Sequence, residues 1–366
     1  RGGDEPVRVA LVCPYDLDAP GGVQVHVGDL AEQLSRRGHD VEVFGPGRGG
    51  LGASVGIPYR GTVAPIAPWP TGVLLARRSF ERFAPDLVHV HEPFTPSASM
   101  WATLASPAPV VATFHAWLDR SYLYEMAGPL LAPVRRRLAA TIAVSAAAAE
   151  FVGRAIPGLT PVVIPNGLSV RTFAEAASRE WPPGRRIVWV HRLDRQKGFP
   201  VMIEAFARLT EERDDIWLSV VGDGADRGAV DALDSRAQSR LLMLGRLDHD
   251  LVPSVLAGAD GAVAAATAQE SFGYSIVEAM AAGVPVVATD IEGYRQVVTA
   301  EIDAVVVPPG DGVALARALG RVLDDHDLAR RLAQAGRRTA ASFDWAVVAD
   351  RLEGLYRSVL SRPSLR

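Results

Sequence analysis

Two successive series of short β-branched runs, separated by amphipathic stretches, most constrain the fold of this 366-residue chain. The first series starts at residues 7–12, and a second series restarts at residues 187–190. Strands that alternate with helical stretches are typical of βαβ units and therefore of parallel sheets. The pattern predicts an α/β protein with two Rossmann-like domains, whose ligand binds beyond the carboxyl ends of the strands, in a cleft between the domains.

A polar segment over residues 169–186 separates the two series. It contains Trp181-Pro182-Pro183-Gly184, and adjacent prolines interrupt both helical and sheet hydrogen bonding. We therefore predict a first domain with its linker over residues 1–184 and a second domain over residues 185–343. A final helix over residues 344–366 is expected to pack back on the first domain.

Charge and cysteine content narrow the classes of partner. The net charge of -4 and the pI near 6.1 argue against nucleic-acid binding, and a single cysteine excludes an intramolecular disulfide framework. The first apolar run, residues 7–13, is too short for a secretory signal, and no apolar stretch reaches the length of a membrane span. A cytoplasmic protein with at most weak peripheral membrane association is expected.

A glycine turn follows the first predicted strand, at Pro20-Gly21-Gly22-Val23-Gln24. It opens a helix, whose first N–H groups and positive dipole end suit a diphosphate. Plain turn chemistry remains an alternative, because the strict Gly-x-Gly-x-x-Gly pattern is absent.

Two cations follow the first strand of the second domain. They are Arg192 and Lys197, and Lys197 is the only lysine of the chain. In a sequence that otherwise uses arginine, one retained ammonium indicates a site where a compact point charge is preferred to a planar guanidinium. Chance retention on a solvated loop is the alternative.

Two carboxylates are placed for one ligand, because Glu270 lies on a loop and Glu278 about two turns into the following helix. Glu270 is placed to accept hydrogen bonds from sugar hydroxyls, and Glu278 from the hydroxyls of a ribose. Each carboxylate alone is more often a helix charge or a cap.

With Thr113-Phe114-His115 and Ile164-Pro165-Asn166-Gly167, these motifs resemble the retaining GT-B glycosyltransferases of family 4, including the bacterial phosphatidylinositol mannosyltransferases. The resemblance spans almost the whole chain. It implies an acceptor-binding first domain, a second domain that binds the nucleotide sugar, and transfer without a metal or a further cofactor. Two cations and a helix terminus can stabilise the charge that develops on the leaving diphosphate. The Asp-x-Asp stretches at residues 16–18 and 248–250 are interpreted as surface turns.

The resemblance also implies roles for individual residues. Gly22 offers its N–H to the β-phosphate, Glu270 holds the transferred sugar, and His115 lies beside it. The implied catalytic residues are His115, Arg192, Lys197 and Glu270. The implied donor-binding residues are Gly21, Gly22, Arg192, Lys197, Leu247, Ser271, Phe272, Gly273 and Glu278. The implied acceptor-binding residues are Tyr15, Gln24, Trp117 and Arg120.

The acceptor side departs from the lipid mannosyltransferases. Pro65 stands where that subgroup has an arginine for the inositol phosphate, and Phe94 and Ala116 stand where polar residues are expected. We therefore expect a hexose to pass from a GDP- or UDP-sugar to a hydroxyl of a small soluble acceptor. The alternatives are a membrane-associated phosphatidylinositol mannosyltransferase using GDP-mannose and, from another class, a nucleotide-sugar epimerase or a non-catalytic sugar-nucleotide-binding protein. The sequence leaves the base, the acceptor and the oligomeric state open.

Overall fold

The computed structural model describes residues 5–59, 62–116, 131–268 and 270–362. The chain divides into two compact units, residues 1–167 with 345–366 and residues 168–344. The predicted boundary near residue 184 lies inside the second unit, because Leu168 and Phe173 are buried in the core of that unit. The final helix belongs to the first unit.

The first unit contains a parallel sheet of six described strands, in the order β2-β1-β5-β6-β7-β8. A separate antiparallel hairpin pairs β3 with β4. The strands are β1 Arg8–Val12, β2 Asp40–Phe44, β3 Val55–Tyr59, β4 Thr62–Ile66, β5 Leu87–His91, β6 Val110–Phe114, β7 Leu138–Ala143 and β8 Val162–Val163. The described helices are α1 Gly22–Arg36, α2 Gly72–Phe83, α3 Ala98–Ala105, α4 Ala132–Arg135 and α5 Ala146–Ala155, with α13 Trp345–Leu360 after the second unit.

Both faces of the first sheet are covered by helices. Strands β5 and β6 are buried at every residue, as expected for parallel strands packed on both sides. One face packs on α2 and α3, and the other packs on α1 and α13. On the second face, Trp345 and Tyr356 of α13 are buried against the same cluster as Leu30 and Leu34 of α1.

The second unit repeats this architecture with six parallel strands in the order β11-β10-β9-β12-β13-β14. The strands are β9 Arg185–Val190, β10 Ile216–Val221, β11 Leu241–Gly245, β12 Gly261–Ala264, β13 Val286–Thr289 and β14 Ala304–Val307. The helices are α6 Val170–Ala174, α7 Phe199–Glu212, α8 Ser235–Gln238, α9 Val252–Leu256, α10 Tyr274–Ala282, α11 Gly312–Asp324 and α12 His326–Ala341. The prediction of two Rossmann-like α/β domains is confirmed.

The two ends of the second unit are bonded side by side. The N–H of Leu168 donates to the carbonyl of Phe343 at 2.8 Å, and Leu168 forms an isolated bridge with Asp344. In the first unit, the residues that flank this insertion also touch, because a Cβ on Gly167 would overlap the indole of Trp345. The chain therefore enters and leaves the second unit at one place.

Candidate active site

The middle of the second sheet is a topological switch point. Chain order runs outward in opposite directions from the adjacent strands β9 and β12. In sheets of this kind, ligands bind beyond the carboxyl ends of the strands at such a point. The loops that leave β9 and β12 carry Arg192, Lys197 and Glu270, so three residues singled out from the sequence lie on the two loops at the switch point.

Asp194 organises the loop after β9. Its carboxylate pairs with the Arg192 guanidinium at 3.0 Å and accepts the backbone N–H of Lys197 at 2.8 Å. The next residue, Gly198, has φ 78°, and a Cβ there would overlap the carbonyl oxygen of Ala265 at the end of β12. Only glycine combines this left-handed conformation with so close an approach. The turn therefore holds Lys197 against the neighbouring strand.

Lys197 and Glu270 form a direct ion pair through Nζ and Oε2. Both side chains are largely buried, with 18% and 16% of their surface exposed. Burial is the largest single effect and raises the pKa of Glu270, but the charge and hydrogen bond of Lys197, together with smaller contributions from His191 and the Ser271 N–H, outweigh it, so the net shift is downward. Glu270 is therefore ionised at neutral pH, and the structure pairs two residues that sequence reasoning assigned to different parts of the ligand.

Glu278 has a partner that the sequence analysis did not identify. Its Oε1 lies 2.8 Å from His249 Nε2, and the carboxylate is buried while the imidazole is partly exposed. His249 belongs to the stretch interpreted as a surface turn. Its position just after the end of β11, beside Leu247, was the available signal, because this loop also leaves a carboxyl strand end.

The residues of the loop before α10 have different surroundings. Ser271 donates its backbone N–H to Glu270 Oε1 at 3.2 Å, and Gly273 is the N-cap residue of α10, with φ 90°. Phe272 is 3% exposed and packs edge-on against Tyr274 and Phe343. The ring of Phe272 is therefore part of the core, and the donor-binding role of this residue stays a prediction for its backbone. Leu247 is half-buried against the same core cluster.

His191 lies between the cations and α10. Its Nε2 is 2.9 Å from the Ser275 hydroxyl, and its ring stands edge-on to Trp189. Burial, assisted by the Lys197 charge, lowers its pKa to about 3. His191 is therefore neutral at pH 7 and adds no charge to the site.

The first sheet has its own switch point between β1 and β5. Gly21 and Gly22 follow β1 and open α1, which has no side-chain cap at its N-terminus. The Gln24 amide nitrogen lies 3.3 Å from the carbonyl of Asp16 and 3.1 Å from that of Ala19, so it braces the loop before the helix. First-turn N–H groups without a capping side chain suit an anionic ligand.

His115 follows β6 and lies in a group of histidines. Its Nε2 is 2.8 Å from Nδ1 of His91, and its ring stacks on that of His91 with centroids 5.1 Å apart. His26 of α1 stands edge-on to both rings. Burial holds the pKa of His91 and of His115 well below the ordinary value and lowers that of His26 to about 4. The group is uncharged at neutral pH.

The ring nitrogens of these three histidines, His26, His91 and His115, lie within 4.8 Å of one another, close enough to hold a metal ion. The 2.8 Å contact is a hydrogen bond, since two ligand nitrogens about 2.0–2.1 Å from a tetrahedral zinc ion lie further apart than this. The contact therefore favours a hydrogen-bonded histidine pair.

The proposed acceptor residues are only partly described. Trp117 and Arg120 lie outside the described residues. Tyr15 is half-buried and forms an isolated bridge with Ile66. Phe94 is 5% exposed and packs on Phe114 with ring centroids 5.6 Å apart, so its ring fills the core and does not line an acceptor site. No described helix has both the length and the apolar character required to cross a membrane.

Two family models together match most of the chain. Residues 20–172 match "Glycosyltransferase Family 4", and residues 172–339 match "Glycosyl transferases group 1". The candidate residues at Gly21 and Gly22 fall in the first match, and those at the second switch point fall in the second match.

Characterised relatives cover nearly the full length. The phosphatidyl-myo-inositol mannosyltransferase of Mycobacterium leprae (strain TN) is 35% identical over 373 residues, with 98% of each chain covered. The 2-deoxystreptamine N-acetyl-D-glucosaminyltransferase of Streptomyces fradiae is 30% identical, with 87% of this chain and 86% of the relative covered.

Solved structures share the fold at lower identity. Sucrose-phosphate synthase from Thermosynechococcus elongatus superposes with a TM-score of 0.77 at 21% identity, covering 97% of this chain and 99% of that one. Anabaena HepE in complex with UDP and glucose has a TM-score of 0.71 at 20% identity, covering 96% and 100%. These neighbours are GT-B glycosyltransferases, so the predicted GT-B fold is confirmed.

Proposed function

Because this chain belongs to the family 4 glycosyltransferases, we propose that it transfers a hexose from a nucleoside diphosphate sugar to a hydroxyl of a small cyclitol acceptor. A cyclitol is a polyhydroxylated cyclohexane. Transfer is proposed to retain the configuration of the sugar and to need no divalent metal.

The arrangement at the second switch point carries the proposal. Arg192 and Lys197 lie on the loop after β9, Glu270 on the loop after the adjacent strand, and Glu278 on α10, the helix that follows this loop. Breaking a glycosyl–phosphate bond leaves negative charge on the diphosphate, and fixed cations in a partly buried site stabilise that charge. The carboxylates are proposed to hold the sugar through Glu270 and the ribose through Glu278.

Retention is proposed to proceed by attack on the face that the diphosphate leaves. The departing phosphate oxygen takes the proton of the acceptor hydroxyl, so the new glycosidic bond forms as the bond to phosphate breaks. His115 is proposed to lie beside the reacting sugar. Its depressed pKa supports a neutral hydrogen-bonding role there and argues against a cationic one.

The acceptor class is proposed from the relatives and from one residue of this chain. The names of both relatives specify acceptors with a substituted cyclohexane ring, myo-inositol in one and 2-deoxystreptamine in the other. Pro65 lies in β4 and has no side-chain donor for a phosphate, although its carbonyl accepts the N–H of Asp16 at 2.9 Å. This favours an acceptor without the phosphodiester of a lipid.

Phosphatidylinositol with GDP-mannose is the second candidate, because the 35% identity to the mannosyltransferase extends over nearly the whole chain. A competition experiment separates the two. Phosphatidylinositol vesicles, free myo-inositol and 2-deoxystreptamine are offered together with GDP-mannose, UDP-glucose or UDP-N-acetylglucosamine, and the products are quantified by mass spectrometry. We expect kcat/KM for a soluble cyclitol to exceed that for the vesicles.

Preferred transfer to the vesicles would replace the soluble acceptor by the lipid. Conversion of the sugar nucleotide without any acceptor would instead indicate an epimerase, and binding without turnover a non-catalytic protein. Pro65→Arg is the diagnostic variant, and we expect it to improve transfer to inositol phosphate more than to inositol. Val63→Arg on the same strand is a matched control, because Val63 is exposed.

A further inference from the structure

Two consecutive residues at the end of β5 contact His115 in different ways. His91 bonds its imidazole, Nδ1 to Nε2 at 2.8 Å. Glu92 bonds its backbone, because one carboxylate oxygen, Oε1, accepts the N–H of His115 at 2.6 Å and that of Ala116 at 2.8 Å. The ring and the main chain of His115 are therefore both held from the neighbouring strand.

Glu92 is held in an unusual conformation at this point. It is one of three described residues other than glycine with positive φ, at 51°, and its side chain is buried. Its own N–H donates to the carbonyl of Thr113 at 2.8 Å, which continues the β5–β6 pairing past the end of the strand. A left-handed residue with a buried carboxylate is costly, and such strain is concentrated at functional sites.

The hydrogen bonds of His91 determine which nitrogen of His115 carries the proton. Among the described residues, His91 Nε2 is buried without a partner. A buried N–H without an acceptor is rarer in proteins than an unsatisfied acceptor, so the His91 proton belongs on Nδ1. His91 then donates to His115 Nε2, and a neutral His115 must carry its own proton on Nδ1.

We propose that His91 and Glu92 are positioning residues for His115: Glu92 holds its backbone, and the hydrogen bond from His91 fixes its imidazole as the tautomer protonated on Nδ1. His115 then presents an N–H donor to the oxygen atoms of the bound sugar. It is not set to act as a base through this nitrogen. The functional part of this inference rests on the proposed glycosyl transfer, whereas the tautomer is a property of the protein without substrate.

The tautomer is measured directly by NMR. In the full chain labelled with 15N-histidine, long-range 1H–15N correlations distinguish a protonated ring nitrogen from an unprotonated one, and His115→Gln assigns the resonances. We expect protonated Nδ1 and unprotonated Nε2 for both His91 and His115 at pH 7. A His115 protonated on Nε2 would overturn the proposal, whether or not the protein transfers sugar.

Substitutions at His91 test the same contact through activity. His91→Phe keeps the ring but removes the donor, and we expect mixed tautomers of His115 and a fall in kcat of about 100-fold, the effect of a misplaced catalytic group. His91→Asn returns an N–H donor near the position of Nδ1. We expect this variant to recover most of the kcat and the Nδ1–H signal of His115. An unchanged His115 spectrum in His91→Phe would refute the positioning role.

Substitutions at Glu92 test the backbone contact. Glu92→Ala removes the acceptor, so we expect kcat to fall while the KM for the nucleotide sugar changes little. Glu92→Gln keeps an amide oxygen and should retain most of the activity. Glu150→Ala is the matched control on exposed helix surface.

A metal-bound histidine group is the competing outcome. If chelation changes the spectra of His26, His91 and His115 together and Zn2+ restores them, the three residues form a metal site and the tautomer proposal is wrong.

Discussion

Replacing Glu270 by glutamine should tighten the binding of a nucleoside diphosphate while it weakens sugar transfer. In the structure, Glu270 is the direct partner of Lys197, the cation proposed to bind the diphosphate. The ligand must therefore compete with a carboxylate of the protein for the same ammonium. Because the pKa of Glu270 is lowered, the substitution removes a full negative charge at pH 7.

The expected magnitude starts from the Coulomb energy of two opposite charges in a partly buried site. Two unit charges about 4 Å apart interact by about 4 kcal/mol at an effective dielectric constant near 20. Desolvation of the freed ammonium and of the diphosphate offsets much of this, and a net gain of about 1.4 kcal/mol corresponds to a ten-fold lower Kd. Lys197→Met should instead weaken binding by about 1.5–3 kcal/mol, the range for one hydrogen bond to a charged group.

Isothermal titration of GDP and UDP into the wild type, both single variants and the double variant measures these effects. The advantage of Glu270→Gln should shrink in the Lys197→Met background, because most of it acts through the freed ammonium. Glu204→Gln is the matched control, since Glu204 is half-exposed on α7 of the same unit. If Glu270→Gln weakened nucleoside diphosphate binding as much as Lys197→Met does, the competition between carboxylate and diphosphate would be ruled out.

Three further predictions concern charge, metal and pH. Arg192→Ala should reduce kcat by an amount equivalent to about 2.7–4 kcal/mol, and Lys197→Arg should also lose activity because a planar fork replaces a point charge; near-normal steady-state rates would contradict both. Sugar transfer should survive saturating EDTA, and abolition with rescue by Mg2+ or Mn2+ would disprove this. The folded-state pKa of His26 is lowered to about 4 and that of His89 to about 3, so the unfolded chain binds more protons below the ordinary value of 6.5. Their contribution to stability is complete above pH 6.5 and declines below it, by up to about 1.4 kcal/mol per pH unit for each histidine; melting temperatures that stayed constant from pH 7 to pH 5 would argue against it.

The fold could be predicted because its signal is repeated along the chain. Most strands of the two parallel sheets are short apolar runs rich in β-branched residues, and both sheets are built of βαβ units. The predicted boundary near residue 184 differs from the division between the two units after residue 167, because prolines mark a break in hydrogen bonding, whereas the division depends on which core buries Leu168 and Phe173.

The pairing of side chains could not be read in the same way. Lys197 and Glu270 are brought together because β9 lies next to β12 in the sheet, and strand order is not encoded in local periodicity. His249 reaches Glu278 for a similar reason, from a loop that looks like an ordinary polar turn. Phe94 and Phe272 each lie beside a sequence motif, but the structure buries both rings in the core. Local sequence did not show this burial.

The two ends of the second unit are hydrogen-bonded to each other, so the unit is inserted into the first one at a single place. Because Leu168 is hydrogen-bonded to Phe343 and Gly167 touches Trp345, residues 168–344 can be exchanged for the corresponding segment of a relative without moving the ends that receive it. Domain insertion is best tolerated where chain ends meet in this way. Recombination at this junction can therefore combine the second unit of one relative with the first unit of another.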